Sequence, residues 1–117
     1  MSKIRSFIEK MYRGTIDGNI NWEETQYNGI YQSSFPNYSI HIMAGKENND
    51  TPYIEITIYN DEGKVIETIR DDDDSLRDMN DSYQRMEEIY ETARSQAMGL
   101  EKALDDIIDY LDKIPPF

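Results

Sequence analysis

LRDMNDSYQRMEEIYETARSQAMGLEKALDDIIDYLDKI, residues Leu76 to Ile114, is the stretch whose reading decides the fold. Leu76, Met79, Tyr83, Met86, Tyr90, Ala93, Ala97, Leu100, Leu104, Ile107, Leu111 and Ile114 recur at alternating spacings of three and four. This is the seam of an amphipathic helix with a heptad pattern. The sequence therefore predicts one long helix over 75–114, stopped by Pro115 and Pro116. Gly99 is its weak point, because glycine in a helix interior costs about 1 kcal/mol relative to alanine.

Upstream, the period changes. Tyr53 to Tyr59 alternates, with Ile54, Ile56 and Ile58 on one face and Tyr53, Glu55, Thr57 and Tyr59 on the other. Alternation of period two predicts a strand with one face buried. Tyr38 to Ala44 repeats the pattern through Ile40 and Ile42, and Lys64 to Arg70 completes a hairpin across Asn60-Asp61-Glu62-Gly63. Tyr27 to Phe35 reads as a weaker strand, softened by Asn28-Gly29 and closed by Pro36-Asn37, and Ile20 and Trp22 share one side of the segment before it. At the start, Ile4, Phe7, Ile8, Met11 and Tyr12 form a helical stripe over 1–13, with Ser2 as N-cap and Gly14 as its C-terminal stop. The expectation is a single α+β domain spanning 1–117. A short N-terminal helix leads into an antiparallel four- to five-stranded meander over 19–70, and a long C-terminal helix packs on one sheet face.

Composition narrows the function classes. The chain has 117 residues and a formal charge of −12, which repels phosphate backbones and anionic membrane surfaces. No direct nucleic-acid binding and no membrane association are expected. Cysteine is absent, which excludes a disulfide framework, a thiolate metal site and a cysteine nucleophile. Residues 1–9 meet charges early and show no signal-peptide pattern, so a soluble cytoplasmic protein is expected.

Two segments resemble known sequences. Thr15, Gly18, Ile20 and Trp22 resemble a T-x-x-G-x-I-x-W opening, and Tyr90, Ala93, Arg94, Ala97 and Gly99 a Y-x-x-A-R-x-x-A-x-G helix, of small standalone bacterial or phage α+β proteins of unknown function. The resemblance implies a helix–sheet–helix order and a bacterial or phage origin. It implies no activity.

The residues offer no catalytic constellation. Asp71-Asp72-Asp73-Asp74 fails the calcium-loop pattern, since position six is Leu76 instead of glycine and position twelve is Ser82 instead of glutamate. The run reads better as a helix N-terminus, with Ser75 and Asp78 approximating a capping box. His41, the sole histidine, has no recognisable catalytic partner. No enzyme activity, metal or cofactor is expected. The candidate interface residues are Tyr53, Thr57 and Tyr59 on the polar sheet face, and Ala93, Ala97, Leu100, Leu104, Ile107 and Leu111 on the seam.

Length supports an interface there. About 39 helical residues make a rod of roughly 58 Å, whereas a strand of six or seven residues spans about 20 Å. The remainder of the seam must meet another surface. The expected function is non-enzymatic: a small acidic interaction or regulatory protein acting by protein–protein contact and forming a homo-oligomer. Immunity, antitoxin or phage anti-defence roles are its niches by analogy. The alternatives are a dimer that binds or sequesters a nucleotide signal, and an acidic DNA-mimic inhibitor.

Overall fold

The computed structural model describes residues 3–115 and is α+β. Helix α1 spans Lys3–Ile16. Strands β1 (Glu23–Glu24), β2 (Ile30–Phe35), β3 (Tyr38–Lys46), β4 (Pro52–Asn60) and β5 (Val65–Arg70) form one sheet in the order β1-β2-β3-β4-β5. Every neighbouring pair is antiparallel. A 3₁₀ turn at Asp74–Leu76 leads to helix α2 (Ser82–Ala97) and helix α3 (Leu100–Asp112).

Alternation sets the two sheet faces. Tyr31, Ile42, Ile56 and Ile69 lie in one cross-strand row and all are buried, with Ile40 and Ile54 beside them. Against this face α2 places Met86, Ile89 and Ala93, and α1 places Ile8 and Met11. Leu76, Met79 and Trp22 close the cluster. A core residue of this kind contributes about 1.5–3 kcal/mol by burial. Polar groups inside it are matched, since Trp22 donates from Nε1 to Thr15 Oγ1 at 3.1 Å and both residues are buried.

Several boundaries differ from the sequence reading. The helix expected over 75–114 is not continuous. Leu76 and Met79 are buried, but they sit on successive tight turns, with Met79 N–H bonded to the Leu76 carbonyl and Ser82 N–H to the Met79 carbonyl. Ser82 Oγ also donates to the Asp71 carbonyl at 2.7 Å, which ties the start of α2 back to the chain leaving β5. Here side chain–backbone bonds and turns outcompete helix, as expected where Ser, Asn and Asp are dense. Ser75 and Asp78 consequently form no capping box. Asp73 is the capping residue instead, accepting from Ser75 N–H at 2.9 Å and from the Ser75 hydroxyl, contacts that hold its carboxyl below the usual carboxylate range.

The second break is at Gly99, whose φ of +69° is left-handed. It ends α2 and redirects α3, so of these two helices only α2 packs on the sheet. Helix α1 runs past Gly14 to Ile16, and Gly18 takes the left-handed position (φ +79°) that the sequence reading assigned to Gly14. Gly14 has another role: a Cβ there would lie 2.7 Å from Ile20 Cδ1, so glycine permits that close approach. Strand β2 starts only at Ile30, after a turn with Gly29 at φ +82°, and Ile20 and Trp22 lie outside regular strand. Ser2, the expected N-cap, lies outside the described residues.

Candidate interaction surface

Helix α3 contains no buried residue. Leu100, Leu104, Ile107, Ile108 and Leu111 fall on one side of it at helical spacing, Ile114 follows just past its end, and each is between 38% and 56% exposed. Glu101, Asp105 and Asp112 flank that stripe on one side, and Asp109 lies opposite. Lys102 pairs with Asp106 at 2.8 Å on the exposed surface. The only substantial packing partner of α3 among the described elements is the end of α2.

The junction between the two helices is short and bonded. Only Met98 and Gly99 separate them. Met98 N–H bonds to the Arg94 carbonyl, Gly99 N–H to Gln96 and Ala103 N–H to Gly99. Met98 is anchored in turn by its sulfur, which accepts from the Tyr31 hydroxyl. The direction of α3 is therefore set by α2, and the molecule reaches 58 Å along its longest axis.

A second apolar surface lies between α1 and the β2–β3 hairpin. Phe7, Lys10 and Met11 from α1, Ile20 from the following loop, and Phe35, Tyr38, Ile40 and Ile58 from the sheet line a cleft of about 470 Å³. The hairpin turns through Asn37 at φ +67°, which leaves Phe35 and Tyr38 side by side and exposed at its tip. Lys10 is part of that lining, and Lys3 lies one helical step before Phe7 on the same side of α1.

The remaining candidate residues are held within their own chain. Ala93 is fully buried in the core and Ala97 packs against it. On the open sheet face, the Tyr53 ring covers Gly45, where a Cβ would meet it at 2.6 Å, and the Arg70 guanidinium stacks on it at 3.9 Å. Arg70 is fixed by Glu55 at 2.9 Å, and this hydrogen bond raises its pKa further. Tyr59 packs against His41 at 4.6 Å between ring centroids, and Thr57 sits opposite His41 in the ladder. His41 Nε2 donates to Gln32 Oε1 at 3.1 Å, and burial lowers the imidazole pKa. Tyr53, Thr57 and Tyr59 thus share one face, while Leu100, Leu104, Ile107 and Leu111 share a separate and far more exposed one.

Sequence reasoning missed the cleft altogether. Its signal was the pair of aromatics flanking Pro36-Asn37, which alternation assigns to the buried face of a strand end. Ile108 and Ile114 belong to the exposed stripe too, and Ile108 lay outside the heptad positions. Among the described residues no group of three or more His, Cys, Asp or Glu side chains could hold a metal ion. Likewise, none of the described helices is long and apolar enough to cross a membrane. Comparison with protein-family models, with curated proteins and with solved structures gives no match to this chain.

Proposed function

We propose that this protein is a non-enzymatic interaction protein that acts through protein–protein contact, with α3 as its contact element. One observation carries the reading: a 13-residue helix with a continuous apolar face and no buried residue, packed among the described elements only against the end of α2. Isolated helices of this length are marginal in water, and helices in proteins draw most of their stability from burying an amphipathic face. Exposed apolar patches beyond a few hundred Å² mark interaction sites. The high negative charge suits a soluble partner and opposes nucleic acid. Immunity, antitoxin and phage anti-defence proteins are the settings that fit by analogy.

A photo-crosslinking side chain placed at position 108, compared with one at position 57 on the open sheet face, tests this in the source cell. The expected result is a discrete covalent protein adduct from position 108 and none from 57. Equal adducts from both positions, or none from 108, would remove α3 as the contact element.

A further inference from the structure

The occupant of the α3 face is suggested by charge. In a chain of −12, α1 is the basic element, carrying Lys3, Arg5, Lys10 and Arg13 against Glu9 alone. Helix α3 is its opposite, with Glu101, Asp105, Asp106, Asp109 and Asp112 against Lys102. The apolar cleft lies along α1, with Lys10 in its lining. Among the described residues one molecule thus carries both an exposed apolar helix with an acidic flank and an open apolar cleft with a lysine in its lining. The bonded two-residue elbow directs α3 away from its own body, so that α3 is presented to a neighbour.

Resting on the reading of α3 as contact element, we infer that its occupant is a second copy of this chain: α3 of each protomer lies in the α1/β2–β3 cleft of the other. Leu104, Ile107 and Leu111 enter the cleft against Phe7, Phe35 and Tyr38, and Glu101 and Asp105 meet Lys3 and Lys10. The contact is reciprocal, as a twofold dimer requires. A stable interface buries roughly 1,200–2,000 Å², and a twofold arrangement supplies the stripe-to-cleft contact twice. The simpler alternative, α3 against α3 of the partner, would set two acidic helices side by side, and like-charge juxtaposition opposes that pairing.

Charge reversal separates these arrangements in sedimentation equilibrium of the full chain. Wild type is expected to dimerise reversibly at micromolar concentration. The Lys3→Glu/Lys10→Glu chain, whose α1 is now acidic, and the Glu101→Lys/Asp105→Lys chain, whose α3 flank is now basic, should each self-associate at least about tenfold more weakly. Mixed one to one they should restore the dimer, because both reciprocal contacts again pair opposite charges. All four substitutions are on exposed side chains, and unchanged circular dichroism confirms that the variants fold.

Dimerisation of the Lys3→Glu/Lys10→Glu chain at wild-type strength would overturn the cleft as the seat. A wild type monomeric at about 100 µM, around a hundredfold above the micromolar range expected, would overturn self-association, while the position-108 adduct to a foreign protein would still uphold α3 as the contact element. A Leu104→Asp/Ile107→Asp chain that dimerised like wild type would remove both.

Discussion

Thr15 and Trp22 are joined by a hydrogen bond at the point where α1, the loop after it and α2 meet. Trp22 N–H also donates to Gln96 Oε1 at 2.9 Å, so one tryptophan ties the start of the sheet to the end of α2. Thr15→Val keeps the volume and strands the indole N–H in the core. We expect a loss of about 1–3 kcal/mol in urea unfolding, the cost of an unsatisfied buried donor. His41 supplies a pH dependence of known sign. Burial lowers its folded pKa below the unfolded value of about 6.5. Between those two values the unfolded chain binds more protons, so stability is complete above about pH 6.5 and declines as pH falls toward the folded pKa. The decline should vanish in His41→Gln, measured as the difference between Tm–pH profiles. At this scale the sequence was partly legible. Alternation found Ile40, Ile42, Ile54 and Ile56 as core. The heptad series passed over Ile89, which is fully buried, because Met86, Ile89 and Ala93 make an equally good three–four stripe one position away.

Each element can be weighed by what it buries. Helix α2 carries Met86, Ile89 and Ala93 in the core, whereas α3 carries nothing there. Compared at a concentration well below that of self-association, a chain ending at Met98 should therefore fold with its thermal midpoint within about 3 °C of the full chain, since that shift corresponds to under 1 kcal/mol in a domain of this size. Met98 is retained because its sulfur accepts from Tyr31. The same truncation should abolish self-association, read by sedimentation. Gly99→Ala addresses the break itself. No heavy atom lies within 4 Å of the added Cβ, so sterics with the rest of the molecule are not at issue. A left-handed alanine costs about 1–2 kcal/mol, and helical alanine gains about 1 kcal/mol over glycine. Both favour continuing α2 into α3 as one rod. The expected outcome is higher helical ellipticity and a larger maximum dimension in small-angle scattering, with little change in Tm.

Across the whole molecule the dominant long-range force is self-repulsion. Twenty-four carboxylates face twelve Lys and Arg side chains, and the observed ion pairs lie at or near the surface. Raising ionic strength from about 0.01 M to 1 M shortens the screening length from about 30 Å to about 3 Å. We expect Tm to rise by a few degrees across that range, measured at fixed protein concentration in the truncated chain, where self-association cannot contribute. The sequence by itself determined the periods, and therefore the element types, the α+β class and the aliphatic face of the meander. Periodicity is a property of the backbone geometry that neighbouring residues share, so it is readable locally. Only the tertiary structure decided where the C-terminal seam changes its use. An unbroken heptad series from Leu76 to Ile114 became turns, then a core helix, then an exposed one, because Ser82 bonds back to Asp71 and Gly99 adopts a left-handed conformation that the apolar pattern does not encode. The cleft is likewise a tertiary product, assembled from α1, its loop and two sheet segments that no local pattern connects.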